Sequence, residues 1–588
     1  MSIIKGGSFI IENITPDQVF TPEDFTEEHR MIAKTTADFT EGEVAPLVEE
    51  LEQQKEGLIR GLMQKAGELG LLGADVAEKY DGGELGKVGS SLITENTVKG
   101  GAFTVAHAAH TGIGTLPIVF FGTEAQKQKY LPGLATGELI ASYCLTEPSS
   151  GSDALGAKTK AVLSADGKYY ILNGTKQFIT NAGFADVFIV YAKVDGEHFT
   201  AFIVDRDTPG LSLGPEEKKM GIKGSSTRPV ILEDARVPVE NVLGEIGKGH
   251  VVAFNILNIG RYKLGAACIG SSKYALEVSI QYALERKQFG RPIADFGMIR
   301  SKLAKMATRI YVGESMVYRN AGLLDDILSG IDQSSADAGR QAAKGIEEYA
   351  IECSINKVFA SEVLDFVTDE AVQIHGGYGF IQEYPVERMY RDSRINRIFE
   401  GTNEINRLII PSTLLRKGMK GELPLLAAAQ KVMGDVLAAA QPVDEGLPLG
   451  LEKSLVDRAK KISLLFAGVA AQKLGNKLAE EQEILGNLAD AIIEIFAMES
   501  VVLRTEKALA REGERAQVKA KMARLYCYEA FQRVESLARE TLAAVEQGDT
   551  LRTQLSAVKK LARVNPVNTI GLQRDIADRV IADGRYNF

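Results

Sequence analysis

The chain has 588 residues, a length that predicts two to four domains rather than one core. It is 45% hydrophobic and 25% charged, without long Pro- or Gly-rich tracts, a composition that excludes a disordered or fibrous chain. Its net charge of -10 argues against non-specific nucleic-acid binding, which depends on Lys and Arg neutralising phosphates.

The opening stretch, MSIIKGGSFIIENITPDQ, has neither a basic segment followed by a long apolar run nor an Arg/Ser-rich, acid-poor composition. No segment reaches the roughly 18 uninterrupted apolar residues needed to span a bilayer, so the expected location is the cytoplasm. From 26 to 140 apolar residues recur at threes and fours, as in FTEEHRMIAKTTADFTEGEVAPLVEELEQQ, and helices are predicted. From 141 to 248 the character is β: KYYIL, KQFIT, DVFIVYAKV, FTAFIVDR and RPVILEDARVP are short strand-type runs. Asn173-Gly174, between the first two, predicts a hairpin turn. The helical period returns over 249–415. After a Pro/Gly-broken stretch, Gly421 to Gly450, more helix follows, with Leu485, Leu488, Ile492, Ile495 and Val502 on one apolar face. The expected class is therefore α+β, with a further helical region over 416–588.

The four cysteines, Cys144, Cys268, Cys353 and Cys527, are far apart and form no CxxC; they read as buried or free thiols. His107 and His110 stand three apart without HExxH or nearby cysteines, so packed or solvated histidines are expected and no metal site. No GxGxxG follows a strand and no GxxxxGK[ST] occurs, which disfavours Rossmann and P-loop sites. YCLTEPSSGSD (Tyr143–Asp153) is, taken alone, a surface turn before it is a phosphate cradle. QIHGGYGF (Gln373–Phe380) fits close packing or a helix cap as well as it fits a ligand. ALERKQFG (Ala283–Gly290) is a basic helix end whose Arg286 would also suit a phosphate. Arg261, in an apolar helical stretch, snorkels or pairs with a carboxylate, or else orients a catalytic carboxylate or a substrate group. RIFEGTNEINR (Arg397–Arg407) places Glu400 beside Ile398-Phe399 and before Gly401, either an ordinary loop charge or a base against a dry pocket.

In this order and spacing, YCLTEPSSGSD, KQFITN, ERKQFG, QIHGGYGF and IFEGTNEI resemble the flavin-dependent acyl-CoA dehydrogenases, over about 26–415. The region after 415, with Asn565-Pro566, resembles the helical extension of the very-long-chain branch. The resemblance implies an N-terminal helical domain over 26–140, a β-barrel-like middle domain over 141–248, a helical bundle over 249–415 and an additional helical domain over 416–588. It implies FAD as cofactor, shared with a second subunit of a homodimer or dimer of dimers.

By matching motifs, Tyr143, Leu145 and Thr146 would line the flavin, and Ser152 would approach phosphate or the CoA portion. Phe178, Ile179 and Thr180 would cover the other side, with Phe178 where relatives often carry Trp; this chain has none. Arg286, Gln288, Phe289, Gln373, Gly376 and Gly377 would meet the partner subunit's FAD, and Thr402 and Glu404 would touch the dinucleotide. Asn258 and Arg261 correspond to substrate contacts, as do Phe399 and Gly401 beside the base. Val105, Ala108 and Ala109, in TVAHAAHTGIG, either leave length for an acyl tail or simply pack a helix.

Glu400 matches the family's general base. The family's other base position, just before Arg261, is Gly260 here and cannot serve. A carboxylate removed from water becomes more basic, which α-proton abstraction requires. The implied activity is oxidation of medium-to-long-chain acyl-CoA, with long chains favoured, to trans-2-enoyl-CoA in fatty-acid β-oxidation, with electron-transferring flavoprotein as electron acceptor. The rivals are an acyl-CoA oxidase using dioxygen and a non-catalytic assembly or scaffold homologue. Very-long-chain relatives use part of the extension to bind membranes. Here Gly421–Gly450 sets Lys431 against Glu422, Asp435, Asp444 and Glu445, an excess of negative charge that argues against membrane association.

Overall fold

The computed structural model describes residues 4–332, 335, 337–435 and 448–588. The chain divides into two compact units, Thr26–Ser271 with Leu324–Glu348, and Met1–Phe25 with Ser272–Leu323 and Tyr349–Phe588.

The first unit opens with helices, among them Glu27–Phe39, Leu58–Glu68, Gly86–Asn96, Ala102–Ala108 and Glu124–Thr136. Their ends follow from local chemistry. Thr26 and Thr123 accept from the N–H three residues on, and His29 and Gln126 reach back to complete capping boxes. Gly137 at φ 80° closes the last helix in the left-handed region that glycine adopts without penalty. The apolar faces meet in a core around Phe39, Val44, Leu62, Met63, Leu72 and Phe103. His107 and His110 belong to that core. Nε2 of each lies 2.9 Å from a main-chain carbonyl, of Leu71 and Leu134 respectively, and the Ala141 N–H donates to His110 Nδ1.

Eight strands then form one sheet: β1 Ala141–Cys144, β2 Lys160–Leu163, β3 Tyr169–Thr180, β4 Val187–Val194, β5 His198–Asp205, β6 Leu211–Leu213, β7 Thr227–Pro238 and β8 Val242–Leu243. The order is β6-β7-β3-β2-β4-β5-β8, with β1 parallel to β4. β4 is buried along nearly its whole length, as its uninterrupted apolar run requires. Cys144, Leu172, Ile179, Phe188, Phe202, Val230 and Val237 lie in the sheet's core.

The hairpin predicted at Asn173-Gly174 is corrected: both residues lie inside the single strand β3. The pair marks a bulge, since the β3–β7 register shifts between Leu172 and Gly174. Asn173 does not turn the chain but exchanges two side-chain bonds with Asp234 on β7. A side chain at Gly174 would collide with Thr159.

The second unit is helical. Its longest described elements include Ala350–His375, Asn403–Met419, Gly450–Leu474, Gln482–Glu512 and Gln517–Val545. The last three pack on one another, and Asn403–Met419 packs on both Ala350–His375 and Gln482–Glu512. Leu485, Leu488, Ile492, Ile495 and Val502 are buried together, as their spacing predicts. The Pro/Gly-broken stretch Gly421–Gly450 contains the helix Leu425–Asp435. Asp444 and Glu445, used to judge its charge, lie outside the described residues. The four cysteines are buried and form no disulfide. Among the described residues no helix is long and apolar enough to cross a membrane.

Candidate active site

In the first unit the predicted residues of β1 and of the end of β3 lie side by side. Gln177 N–H donates to the Thr146 carbonyl at 2.8 Å, and Ser142 Oγ donates to the Thr180 carbonyl at 2.8 Å. Leu145 and Ile179 are buried, and Tyr143, Thr146 and Thr180 are half-buried. A second register shift, between Lys176 and Ile179, puts Phe178 at φ 60° with 62% of its surface exposed. Bulges of this kind re-aim a side chain. A left-handed phenylalanine costs on the order of 1 kcal/mol and needs support from its surroundings.

Part of that support comes from residues the sequence did not single out. Asn181, also left-handed at φ 66°, donates from Nδ2 to the Ala106 carbonyl at 2.9 Å. It thereby ties the end of β3 to the Ala102–Ala108 helix that carries Val105. Lys176 is fully buried. Its Nζ donates to Glu147 Oε1 at 2.7 Å and to the Leu145 carbonyl at 3.2 Å. Glu147 also accepts from Lys158 N, Thr159 N and Thr159 Oγ1, so one carboxylate gathers both ends of the TEPSSGSD loop. A lysine within the strand run KQFIT and an acid directly after YCLT were the available signals. Ser152 stands exposed on that loop.

Val105 and Ala109 are half-buried, and the helix bearing Val105 passes into a π-turn over Ala109–Gly114. Asn258 and Arg261 are both buried, and Arg261 Nη1 donates to Asn258 Oδ1 at 2.9 Å. Of the two readings of Arg261, snorkelling to solvent is thus excluded.

In the second unit, Glu400 and Gly401 both have left-handed backbones, φ 57° and 78°, in the turn that precedes Asn403–Met419. Thr402 caps that helix, its Oγ1 accepting from Ile405 N. The turn is fixed from two sides. Asn406 Nδ2 donates to the carbonyls of Gly401 at 2.9 Å and Thr402 at 3.0 Å. The buried Lys357 Nζ donates to the Gly401 carbonyl at 2.8 Å and to Asn403 Oδ1 at 2.6 Å. Glu400 Oε2 is shielded from solvent, and Phe399 is half-buried beside it in sequence. Glu404 is exposed in the first helical turn, where its own main-chain N–H and the Thr402 hydroxyl hold its carboxyl below the usual value.

Elsewhere in this unit Arg286, Gln288, Gly376 and Gly377 line a single cavity of about 540 Å³ with Tyr282, His375 and Tyr378. The Arg286 guanidinium lies over the Tyr378 ring, 5.4 Å from its centroid. A side chain built at Gly376 or Gly377 would meet no atom within 4 Å. Phe289, at φ 52°, is 93% exposed at the tip of a two-stranded ribbon, and Gln373 is exposed; neither lines the cavity.

Family models for the acyl-CoA dehydrogenase N-terminal, middle and C-terminal domains match residues 26–138, 142–235 and 247–415, and a further C-terminal domain model matches 458–560. A probable acyl-CoA dehydrogenase of Bacillus subtilis (strain 168) is 58% identical over 584 residues, covering 99% of this chain and 98% of that one. The chain belongs to the acyl-CoA dehydrogenase family. It is an acyl-CoA dehydrogenase by its domains, and the human very long-chain specific mitochondrial enzyme is 38% identical over 91% of this chain and 83% of its own. The structure of an acyl-CoA dehydrogenase complexed with FAD from Bacillus anthracis is 59% identical, with TM-score 0.98 and full coverage of both chains. Butyryl-CoA dehydrogenase from Megasphaera elsdenii, 37% identical with TM-score 0.61, covers 67% of this chain and 99% of its own. The acyl-CoA dehydrogenase fold is therefore present together with the helical extension, as the sequence implies.

Proposed function

We propose that this acyl-CoA dehydrogenase oxidises medium-to-long-chain acyl-CoA, long chains above all, to trans-2-enoyl-CoA with bound FAD and Glu400 as general base. The observation that carries the reading is the Glu400–Gly401 turn: two left-handed residues, one of them non-glycine, held by Lys357 and Asn406, with a carboxylate oxygen kept from water. Strained backbone that its surroundings over-determine is characteristic of functional sites.

The residues present fit FAD. Phe178 offers an exposed ring on a strained backbone, and Tyr143, Leu145, Thr146, Ile179 and Thr180 adjoin it along β1 and β3. Arg286 and Gln288 line an open cradle whose Gly376 and Gly377 admit close approach of a ligand, and a guanidinium suits a diphosphate. These, with Phe289, Gln373, Thr402 and Glu404, would hold the dinucleotide, those of the cradle acting on the partner subunit's cofactor in a homodimer. When bound, FAD supplies the acceptor for the hydride leaving Cβ of the substrate.

Glu400 takes the α-proton. Its carboxylate, oriented by the fixed turn, meets the acyl chain without having to reorganise, and the shielding of Oε2 keeps bulk water from competing for the proton. Gly401 gives the thioester room, and main-chain N–H groups at the turn are suited to the carbonyl oxygen as charge develops on it. Asn258 and Arg261 bind and orient the substrate, Ser152 approaches the CoA portion, and the small Val105 and Ala109 leave depth for the acyl tail. Each methylene buried there contributes roughly 0.8 kcal/mol. Electron-transferring flavoprotein as electron acceptor, a place in fatty-acid β-oxidation and a cytoplasmic location complete the reading.

Glu400→Gln decides it. The variant is expected to keep its yellow colour and bind palmitoyl-CoA, yet bleach anaerobically at least roughly a thousandfold more slowly. Bleaching at the wild-type rate would place the base elsewhere. Admitting air to the bleached wild-type enzyme tests the acceptor, since rapid recolouring with peroxide would mark an oxidase.

A further inference from the structure

The extension contributes to the turn that carries Glu400. Asp490 lies on the Gln482–Glu512 helix of the C-terminal helical extension. Its Oδ1 accepts from Arg407 Nε at 2.7 Å. The same guanidinium reaches Glu362 Oε1 through Nη1 at 2.8 Å. Asn403 Nδ2 donates to that Glu362 oxygen at 3.1 Å, and Asn403 Oδ1 accepts from Lys357 Nζ at 2.6 Å. Lys357 then donates to the Gly401 carbonyl. The path is unbroken, runs through three helices, and lies wholly within the second unit.

Its members have opposed tendencies that only the chain satisfies. Burial works against the charge on Arg407, and the carboxylates of Glu362 and Asp490 more than offset this. Asn403 has one amide to orient. With its N–H group on Glu362 and Ser361, its oxygen must face Lys357, which presents the ammonium to both acceptors at once. If Arg407 lost Asp490, Glu362 would be free to follow it, and the amide that fixes Lys357 would lose its anchor.

We propose that Asp490 is a positioning residue for the dehydrogenation: through Arg407, Glu362, Asn403 and Lys357, the extension holds the Glu400–Gly401 turn in its left-handed conformation. This rests on Glu400 being the base. Charged networks with two arrangements can couple distant sites, but only measured coupling establishes it.

The test uses the full-length, FAD-loaded enzyme and the anaerobic bleaching rate with saturating palmitoyl-CoA. Asp490→Asn and Glu362→Gln are each expected to slow bleaching roughly tenfold, with the half-saturating substrate concentration and FAD content changed less than about twofold. A double variant should be no slower than the slower single, because both cut the same chain. Asp490→Glu should restore most of the rate, which a loss of stability alone would not predict. Wild-type bleaching in both single variants overturns the proposal, and so does a double variant whose slowing is the product of the singles. Glu400→Gln separates the two readings: if it bleaches normally, the base assignment fails, whereas a dead Glu400→Gln beside a normal Asp490→Asn removes only the brace.

Discussion

Lys176 Nζ and Glu147 Oε1 lie 2.7 Å apart in the interior of the β-rich region, with 0% and 4% of the two side chains exposed. Burial by itself pushes the Glu147 carboxyl up; the Lys176 ammonium and the Thr159 and Lys158 donors more than offset that and hold it below its usual value. Removing one partner strands the other charge in the interior. Lys176→Met is therefore expected to destabilise by about 3–5 kcal/mol, and Lys176→Met with Glu147→Gln by clearly less. Urea unfolding measures both, and a single variant within about 1 kcal/mol of wild type would mean that solvent reaches the pair.

Gly174 cannot be replaced cheaply. It sits at φ 153° in the β3 bulge, and any side chain there runs into Thr159, whose hydroxyl donates to Glu147 Oε1. Gly174→Ala is expected to cost about 1–3 kcal/mol in thermal or urea unfolding. A neutral substitution would show that the bulge relaxes without disturbing Thr159.

The buried histidines set an acid limit. Burial lowers His110 to about 4 and His107 to about 3. A carbonyl acceptor at Nε2 and the Ala141 N–H at Nδ1 leave neutral His110 satisfied and the cation frustrated. For a base with a depressed folded value, the unfolded chain takes protons below about pH 6.5 that the native chain refuses, so stability is complete above that pH and falls below it. His110 alone accounts for on the order of 3 kcal/mol between about pH 6.5 and 4. His110→Asn should flatten this part of the stability–pH curve. An unchanged slope would mean that the ring takes its proton within the fold.

Phe178 is exposed and held left-handed, so its ring contributes little to the fold and much to a flat ligand. Phe178→Ala should leave the FAD-free protein's melting temperature unchanged and weaken FAD binding roughly two- to tenfold, about 0.5–1.5 kcal/mol of aromatic contact. Phe178→Trp should bind FAD at least as well. Fluorescence titration of the FAD-free protein reads both, and full affinity in Phe178→Ala would take the ring off the flavin.

Much of the fold was legible because it follows local rules. The Thr-x-x-Gln cap of Glu124–Thr136, the apolar run of β4 and the face Leu485–Leu488–Ile492–Ile495–Val502 all lie where short-range pattern puts them. Asn173-Gly174 misled for the complementary reason. A bulge and a turn demand the same flexible residues, and only the partner strand β7, whose Asp234 receives Asn173, distinguishes them. Asn181, Lys176 and Glu147 escaped notice because their partners are remote in sequence or are main-chain carbonyls, which no side-chain motif records.

The sequence by itself determined the order of helices and strands, the family through its motifs, and which residue types stand at the positions matched to base, cofactor and substrate. The tertiary structure decided the conformation in which they are presented. Phe178, Asn181 and Glu400 have positive φ, a state that local energetics disfavours in each. It persists because distant groups hold the backbone there: Ala106 receives Asn181 across 75 residues, and Lys357 reaches Gly401 across 44. Such restraints exist only once the chain has folded, because each depends on a partner that the local sequence does not contain.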